Sequence, residues 1–180
     1  MIYLSPDTRP RFFGYIAEQY QCEIEVLRKI LEENTDIMRI VELGTGHGGM
    51  SLFFGSLIHG RGGKVLTIDI VRIMDGGYDS WNVLAEKYNT TFLQMDIFLP
   101  ETVKEVSNFI KDYKALIFCD DGNKKCEVPL YAEILKKGDF LLAHDYNAEF
   151  SHEDLTQRTL SILEPYRQEE FIRILSMKRK

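Results

Sequence analysis

Four glycines stand within the six residues Gly44-Thr45-Gly46-His47-Gly48-Gly49. The segment follows a predicted strand and precedes a predicted helix, and a glycine turn in that position lets the backbone approach a nucleotide. Glycine is needed there because a Cβ would block the approach or forbid a positive φ. The pattern predicts a nucleotide-type ligand, and the alternative is a tight strand-to-helix turn that binds nothing.

The glycine spacing fits two ligands. Gly44-x-Gly46-x-Gly48 suits S-adenosylmethionine, whereas Gly44-x-Gly46-x-x-Gly49 suits a dinucleotide. Glu42 favours the first, because a carboxylate attracts a sulfonium and an α-amino group and repels two phosphates. We therefore expect S-adenosylmethionine at Glu42, Gly44, Thr45, Gly46 and Gly48. His47 is expected to contribute its backbone rather than its imidazole.

Further acids follow the next two predicted strands. Asp69 lies about 20 residues beyond the glycines, where a carboxylate accepts both ribose hydroxyls of either cofactor. Asp96 could recognise an adenine amino group, and the alternative is a helix or turn cap. The stretch with Tyr78, Asp79 and Trp81 either closes over adenine or substrate or forms a plain surface loop.

The elements that must position these residues alternate along the chain. Apolar periodicity and the glycine and proline positions predict helices over 12–33, 50–59, 78–88, 100–111, 127–136 and 151–163, and strands over 38–43, 64–70, 91–95, 115–119, 140–143 and 171–176. This alternation is typical of an α/β fold with a single doubly wound, mostly parallel sheet and helices on both faces. Only one strand follows the last predicted helix, so a terminal hairpin is not expected.

One domain is predicted over 1–180, with an N-terminal helical segment (1–36) and an α/β core (37–180). In doubly wound sheets ligands bind beyond the carboxyl ends of the strands. The residues just after Leu43, Ile68, Met95, Cys119 and Ala143 are therefore expected to form the site.

The motifs resemble those of class I S-adenosylmethionine-dependent methyltransferases. Val41 to Gly49 is similar to their first motif and Leu66 to Ile70 to their second-strand acidic motif, while Phe118 to Asn123 and Lys137 to Asp145 resemble the fourth and fifth strands. The resemblance spans 38–147. It implies a Rossmann-like methyltransferase fold and S-adenosylmethionine as the methyl donor.

An acid after the fourth strand and His144-Asp145 after the fifth are similar to metal-assisted small-molecule O-methyltransferases, such as the catechol-type enzymes and those acting on antibiotic sugars. This resemblance implies Mg²⁺, with Asp120 and Asp145 as ligands and His144 or Asn147 alongside. Such an ion would lower the pKa of a bound hydroxyl. Metal-free catalysis with His144 as general base, and a purely structural role for the acids, remain open alternatives.

Composition limits the partners. The formal net charge of −6 argues against nucleic-acid binding, which rests on clustered Lys and Arg, and favours a small-molecule substrate. No apolar run reaches membrane-spanning length, and three cysteines without CxxC spacing favour a reducing, cytoplasmic setting. Homo-oligomerisation stays open. The competing functions are a nicotinamide-dependent oxidoreductase, which lacks an evident Tyr-x-x-x-Lys pair, and a non-catalytic nucleotide-binding protein.

Overall fold

The computed structural model describes residues 9–151, 160–163 and 174–180. Two short strands, β1 (Arg11–Phe12) and β2 (Tyr15–Ile16), precede helix α1 (Gln21–Glu33). Strands and helices then alternate as β3 (Ile37–Leu43), α2 (Gly49–Ile58), β4 (Lys64–Asp69), α3 (Tyr78–Lys87), β5 (Thr90–Gln94), α4 (Pro100–Ile110), β6 (Lys114–Cys119), α5 (Lys124–Ala132), β7 (Phe140–Ala143), β8 (Leu160–Ile162) and β9 (Leu175–Arg179).

Seven of these strands form one sheet in the order β5-β4-β3-β6-β7-β9-β8. The five strands from β5 to β7 are parallel, whereas β9 runs antiparallel to both β7 and β8. The sheet reverses its order beside β3, where the chain moves from the β4 side to the β6 side. The predicted α/β fold with a doubly wound, mostly parallel sheet is confirmed.

Alternating residues of the central strands supply two apolar layers. Ile40 and its neighbours on one face pack with Leu27 of α1 and Phe54 of α2. Val41 and its neighbours on the opposite face pack with Val106 of α4 and Tyr131 of α5. Helices therefore cover both faces, and among the described helices none is long and apolar enough to cross a membrane.

The N-terminal segment differs from the prediction. The helix expected over 12–33 begins only at Gln21, and a short hairpin precedes it in which Arg11 pairs with Ile16. Phe13 and Gly14 form its turn with φ values of 55° and 95°, which a helix does not permit. The segment over 1–36 is thus partly β within its described residues. The helix was predicted too long because the apolar residues before Gln21 fit helical spacing, although they are buried by the hairpin and the residue that follows it, as Tyr15 and Ala17 show.

The C-terminal part also corrects the prediction. The helix expected over 151–163 ends in strand β8, while 152–159 lie outside the described residues. The strand expected over 171–176 begins at Leu175 in the structure and ends at Arg179, and 171–173 are not described. β8 and β9 pair as an antiparallel hairpin, so the expectation of no terminal hairpin was wrong. Short apolar runs fit either a helix or a strand, and only pairing across the sheet decides between them.

Candidate active site

Strand register brings the site residues to one edge of the sheet. Leu43 pairs with both Ile68 and Cys119, and Cys119 pairs with Ala143. The residues that follow these strands therefore emerge side by side. They line a cleft of about 450 Å³, which contains the predicted residues Glu42, Gly44, Thr45, Gly46, Asp69, Asp120, His144 and Asp145.

Asp69 holds the glycine loop in place. Its Oδ2 accepts hydrogen bonds from the backbone N–H groups of Thr45 at 3.0 Å and Gly46 at 3.1 Å. A Cβ on Gly44 would lie 2.6 Å from the carbonyl oxygen of Asp120, whereas a Cβ on Gly46 would meet nothing within 4 Å. Gly44 is thus required for packing against the loop after β6, and Gly46 presents open backbone to the cleft.

Trp81 packs against the glycine loop and donates a hydrogen bond to its backbone. Its side chain is fully buried in α3, and its Nε1–H donates a hydrogen bond to the carbonyl oxygen of Gly48 at 3.0 Å. Gly48 itself has a φ of 83° and is not among the cleft-lining residues. Trp81 is buried in α3, so the surface-loop alternative was wrong for this residue, whereas closure of the stretch over adenine or substrate stays a prediction.

Glu42 is a buried carboxyl at the floor of the cleft. Its Oε2 accepts hydrogen bonds from the Ser51 hydroxyl and from Thr67 Oγ1, the latter at 2.6 Å. Burial raises the pKa of Glu42 to about 8, and the two hydroxyl donors offset only part of this effect. A cationic group at the glycine loop would restore the ionised form, so Glu42 suits an amine or a sulfonium.

His144 stands among three carboxylates. Its Nδ1 lies 3.1 Å from Asp120 Oδ1 and 3.3 Å from Asp145 Oδ2, and its Nε2 lies 3.1 Å from Glu23 Oε2. Burial by itself would lower the pKa of His144, but the hydrogen bonds to Asp120, Asp145 and Glu23 outweigh it and raise the pKa to about 12. An imidazolium donates protons rather than accepting them, which disfavours the metal-free general base.

Three ligand atoms of this cluster converge. One donor atom each from Asp120, His144 and Asp145 lie within 4.8 Å of one another, a spacing at which they could hold a metal ion. Asp121, whose orientation the sequence left open, also lines the cleft, and burial raises its pKa to about 6. The turn that carries it is held by Glu127, whose Oε1 accepts the N–H of Asn123 at 2.7 Å.

Besides Gly48, two further predicted residues lie apart from the cleft lining. Asp96 is exposed, and its Oδ1 accepts the N–H of Phe98 at 2.8 Å, which is the turn cap considered as its alternative. Asn147 is exposed as well, and its backbone N–H donates to the carbonyl oxygen of Phe150 at 2.8 Å. Their roles toward adenine and metal stay predictions.

Sequence reasoning missed Lys124. Its side chain is buried, and its Nζ lies 3.9 Å from Asp120 Oδ1, 3.8 Å from Asp145 Oδ2 and 3.4 Å from Glu149 Oε2. Burial would lower the pKa of Lys124, but the surrounding carboxylates, Asp120 first, raise it. The available signal was the spacing of four residues between Asp120 and Lys124 at a helix start.

The N-terminal segment contributes two further side chains, Gln19 and Glu18. Gln19 Nε2 donates to Asp120 Oδ2, and the buried Gln19 Oε1 has no hydrogen-bond partner among the described residues. His47 Nδ1 lies 2.8 Å from Asp75 Oδ1 and its Nε2 lies 3.3 Å from Glu18 Oε1. The imidazole of His47 thus links three segments around the glycine loop, beyond the backbone role expected for it.

The fold and this cleft define an S-adenosylmethionine-dependent methyltransferase. The model of the rhamnosyl O-methyltransferase/CmcI family matches residues 10–165. The chain therefore belongs to the rhamnosyl O-methyltransferase/CmcI family. The predicted methyltransferase class and O-methylation are confirmed, and the nicotinamide-dependent oxidoreductase is not favoured.

Solved structures share the fold. An apo structure of CmcI-N160 has a TM-score of 0.75 at 19% identity, covering 94% of this chain and 76% of that one. A putative O-methyltransferase from Klebsiella pneumoniae has a TM-score of 0.63 at 13% identity, covering 93% and 84%. The O-methyltransferase from Bacillus cereus, in complex with SAH, has a TM-score of 0.63 at 12% identity, covering 91% and 83%. No curated protein sequence gives a significant match.

Proposed function

We propose that the protein transfers a methyl group from S-adenosylmethionine to a hydroxyl of a small molecule, with a divalent metal ion at Asp120, His144 and Asp145. One observation carries this proposal: the glycine loop and the convergent acid–histidine cluster line the same cleft. Family membership supports the reaction type. One CmcI structure holds Mg and SAM, which supports the pairing of metal and cofactor.

The cofactor site follows from the charges along the loop. Glu42 would bind the cationic amino acid end of S-adenosylmethionine, because its buried carboxyl gains most from a nearby positive charge. Gly46 offers open backbone, and Asp69 would accept ribose hydroxyls while it holds the loop. Gly44, Thr45 and Gly48 shape the turn.

The charge balance of the cluster fits a divalent cation. Four carboxylates, Glu23, Asp120, Asp145 and Glu149, surround Lys124 and His144. His144 must lose its second proton to serve as a metal ligand, which leaves four carboxylates around the Lys124 ammonium. This excess of negative charge is unfavourable in a buried site unless further positive charge binds. When bound, a divalent ion would lower the pKa of the acceptor hydroxyl, whose proton would pass to solvent, and would orient the acceptor oxygen.

The chain's own residues prepare the acceptor. Lys124 keeps an ammonium group beside Asp120 and Asp145, where it would stabilise negative charge that develops on the acceptor oxygen. Gln19, which lies between β2 and α1, donates a hydrogen bond to Asp120 and so fixes the orientation of that carboxylate. Holding the hydroxyl in line with the sulfonium methyl would supply most of the acceleration, because methyl transfer depends on positioning.

The cleft volume of about 450 Å³ suits small ligands, which typically occupy roughly 300–1,000 Å³. We accordingly propose a small-molecule acceptor rather than nucleic acid, in line with the acidic net charge of −6. We also propose a single domain over 1–180 and a cytoplasmic location, which three cysteines without CxxC spacing support.

Calorimetric titration tests the proposed function. Wild-type protein should bind S-adenosylmethionine and S-adenosylhomocysteine more tightly than NAD⁺, and Asp69→Ala should lose most of that affinity. Asp112→Ala is the matched control, since Asp112 is exposed at the end of α4. Methyl transfer to a panel of catechols and sugars then identifies the acceptor class. Preference for NAD⁺, or no binding of either adenosyl ligand, would overturn the proposal.

A further inference from the structure

The ligand cluster contains an imidazole where hard oxygen ligands would suit Mg²⁺ best. Carboxylate, carbonyl and water oxygens favour Mg²⁺, whereas imidazole favours first-row transition ions. His144 Nδ1 lies between the carboxylate oxygens of Asp120 and Asp145, at 3.1 and 3.3 Å, so the nitrogen is directed at the position that both acids also face. Two carboxylates and one imidazole nitrogen thus form the donor set.

A second carboxylate orients this imidazole from behind. Glu23 is fully buried on α1, and its Oε2 lies 3.1 Å from His144 Nε2. The same oxygen accepts the backbone N–H of Tyr20 at 2.8 Å, which fixes the Glu23 side chain at the start of the helix. A carboxylate that accepts the outer N–H of a histidine keeps the proton on that nitrogen, so a bound metal ion displaces the proton from the inner nitrogen and is coordinated there.

The side-chain amide of Gln19, in the same region, is buried and has one hydrogen-bond acceptor without a partner among the described residues. Gln19 is 1% exposed and lines the cleft, its Nε2 donates to Asp120 Oδ2, and its Oε1 has no partner among the described residues. Because Asp120 takes the amide N–H₂ group, the orientation of the amide is determined by the hydrogen bond. Two residues of the N-terminal segment therefore hold two members of the cluster: Gln19 holds Asp120, and Glu23 holds His144.

We propose that this cluster is selective for a first-row transition ion such as Mn²⁺ or Co²⁺ over Mg²⁺, with His144 Nδ1 as a ligand and Glu23 as its positioning residue. The inference rests on the proposed function, since it specifies the metal of that site. It adds that the choice of metal depends on His144. A third oxygen ligand at this position would shift the preference toward Mg²⁺.

Metal titration without cofactor tests the inference. Protein stripped with EDTA is titrated with Co²⁺, followed by visible absorption, and with Mn²⁺, followed by loss of the free-ion EPR signal, each with and without competing Mg²⁺. We expect Co²⁺ absorption bands typical of mixed nitrogen and oxygen coordination, and Mn²⁺ binding that millimolar Mg²⁺ does not displace. Ready displacement by Mg²⁺, or Co²⁺ bands equal to those of the aqueous ion, would overturn the proposal.

Two variants separate selectivity from folding. His144→Glu should lower the Co²⁺-to-Mg²⁺ affinity ratio by at least about tenfold, and Glu23→Gln should weaken Co²⁺ binding about 10–100-fold, as expected for the loss of an outer partner. His59→Glu, outside the cleft, is the control. Far-UV circular dichroism verifies folding, and if His144→Glu does not fold, Glu23→Gln decides. An unchanged ratio in a folded His144→Glu would contradict the inference.

The two proposals fail separately. Binding of S-adenosylmethionine to the metal-free protein is measured in its own titration, in which metal selectivity plays no part. Cofactor binding together with a preference for Mg²⁺ would leave the methyltransferase proposal standing and refute the metal inference. If the protein binds Co²⁺ selectively but binds neither S-adenosylmethionine nor S-adenosylhomocysteine, the proposed function is refuted instead.

Discussion

Glu42 illustrates how surroundings assign a role to a single residue. The same carboxyl on a surface would be ionised at neutral pH, but here burial raises its pKa to about 8, so the carboxyl is largely protonated at neutral pH. Hydroxyls of Ser51 and Thr67 both donate to it, which keeps one oxygen as an acceptor in either protonation state. The residue therefore ionises when a cationic ligand arrives.

Glu42→Gln is expected to alter the pH dependence of stability. A carboxyl whose pKa is raised in the folded state favours folding fully below its unfolded pKa and loses that contribution as pH rises toward about 8. Wild-type protein should therefore lose stability between about pH 5 and pH 8 relative to the variant, and at pH 9 the variant should be more stable by on the order of 2 kcal/mol. Urea unfolding at several pH values measures this.

The control for that experiment is Glu32→Gln, which removes the same charge from an exposed position of α1. Its stability profile should parallel that of wild type. S-adenosylmethionine affinity should fall in Glu42→Gln alone, because the neutral amide no longer attracts the cofactor's amino group. A Glu42→Gln profile that parallels wild type at every pH would contradict the protonated state assigned to this carboxyl.

At the scale of elements, the N-terminal hairpin packs directly on the glycine loop. A Cβ on Gly49 would lie 2.3 Å from the carbonyl oxygen of Ile16, so the first residue of α2 is in backbone contact with β2. Glu18 then reaches His47, and Gln19 reaches Asp120. The hairpin thus forms one wall of the cleft, and its position depends on the absence of a side chain at Gly49.

Gly49→Ala is expected to displace this wall. Alanine normally favours a helix over glycine by about 1 kcal/mol. The contact with Ile16 reverses that effect, and we expect a net loss of about 1–3 kcal/mol of stability, as for overpacking. Cofactor affinity should fall as well, because displacement of the hairpin moves Glu18 away from His47 in the glycine loop. Hydrogen–deuterium exchange over 11–19 should increase.

Gly60→Ala provides the comparison for that substitution, because a Cβ at Gly60 would meet nothing within 4 Å. Its unfolding free energy should stay within about 0.5 kcal/mol of wild type. Equal stability and unchanged exchange in Gly49→Ala would show that the hairpin does not depend on this contact.

On the scale of the whole molecule, a single sheet connects every part of the site. β9 lies between β7 and β8, so residues from the end of the described chain complete the sheet beside β7, the strand that directly precedes His144. Met177 of β9 is 2% exposed and packs in the same apolar layer as Val41, Ile117 and Leu141. The glycine loop, the cluster of Asp120, His144 and Asp145, and the C-terminal hairpin therefore share one core.

We expect this shared core to unfold in one transition, as the proposed single domain requires. Fluorescence of Trp81, the sole tryptophan in the sequence, reports on the glycine loop, while far-UV circular dichroism reports on all elements. The two urea curves should coincide. Met177→Ala should shift both equally by about 2–5 kcal/mol, although Met177 is distant in sequence from Trp81. Separate transitions for the two probes would contradict a single cooperative domain.

The sequence by itself determined the fold class and placed several acidic residues at one edge of the sheet. Strands of four to seven residues alternate with amphipathic helices, and this local periodicity is enough to predict a parallel sheet. Because ligands bind at the carboxyl ends of such strands, the sequence also predicts that Glu42, Asp69, Asp120 and Asp145 lie close together. Each of these signals is short-range, or follows from chain order, and is therefore visible in the sequence.

Only the tertiary structure decided how the cluster of Asp120, His144 and Asp145 is surrounded. Gln19 and Asp120 are 101 residues apart, and Glu23 and His144 are 121 apart, so no local pattern connects either pair. The burial that protonates Glu42 and the three carboxylates that surround His144 likewise arise only when distant elements pack together. The terminal hairpin was missed for the same reason, because a three-residue strand is defined by the neighbour with which it pairs.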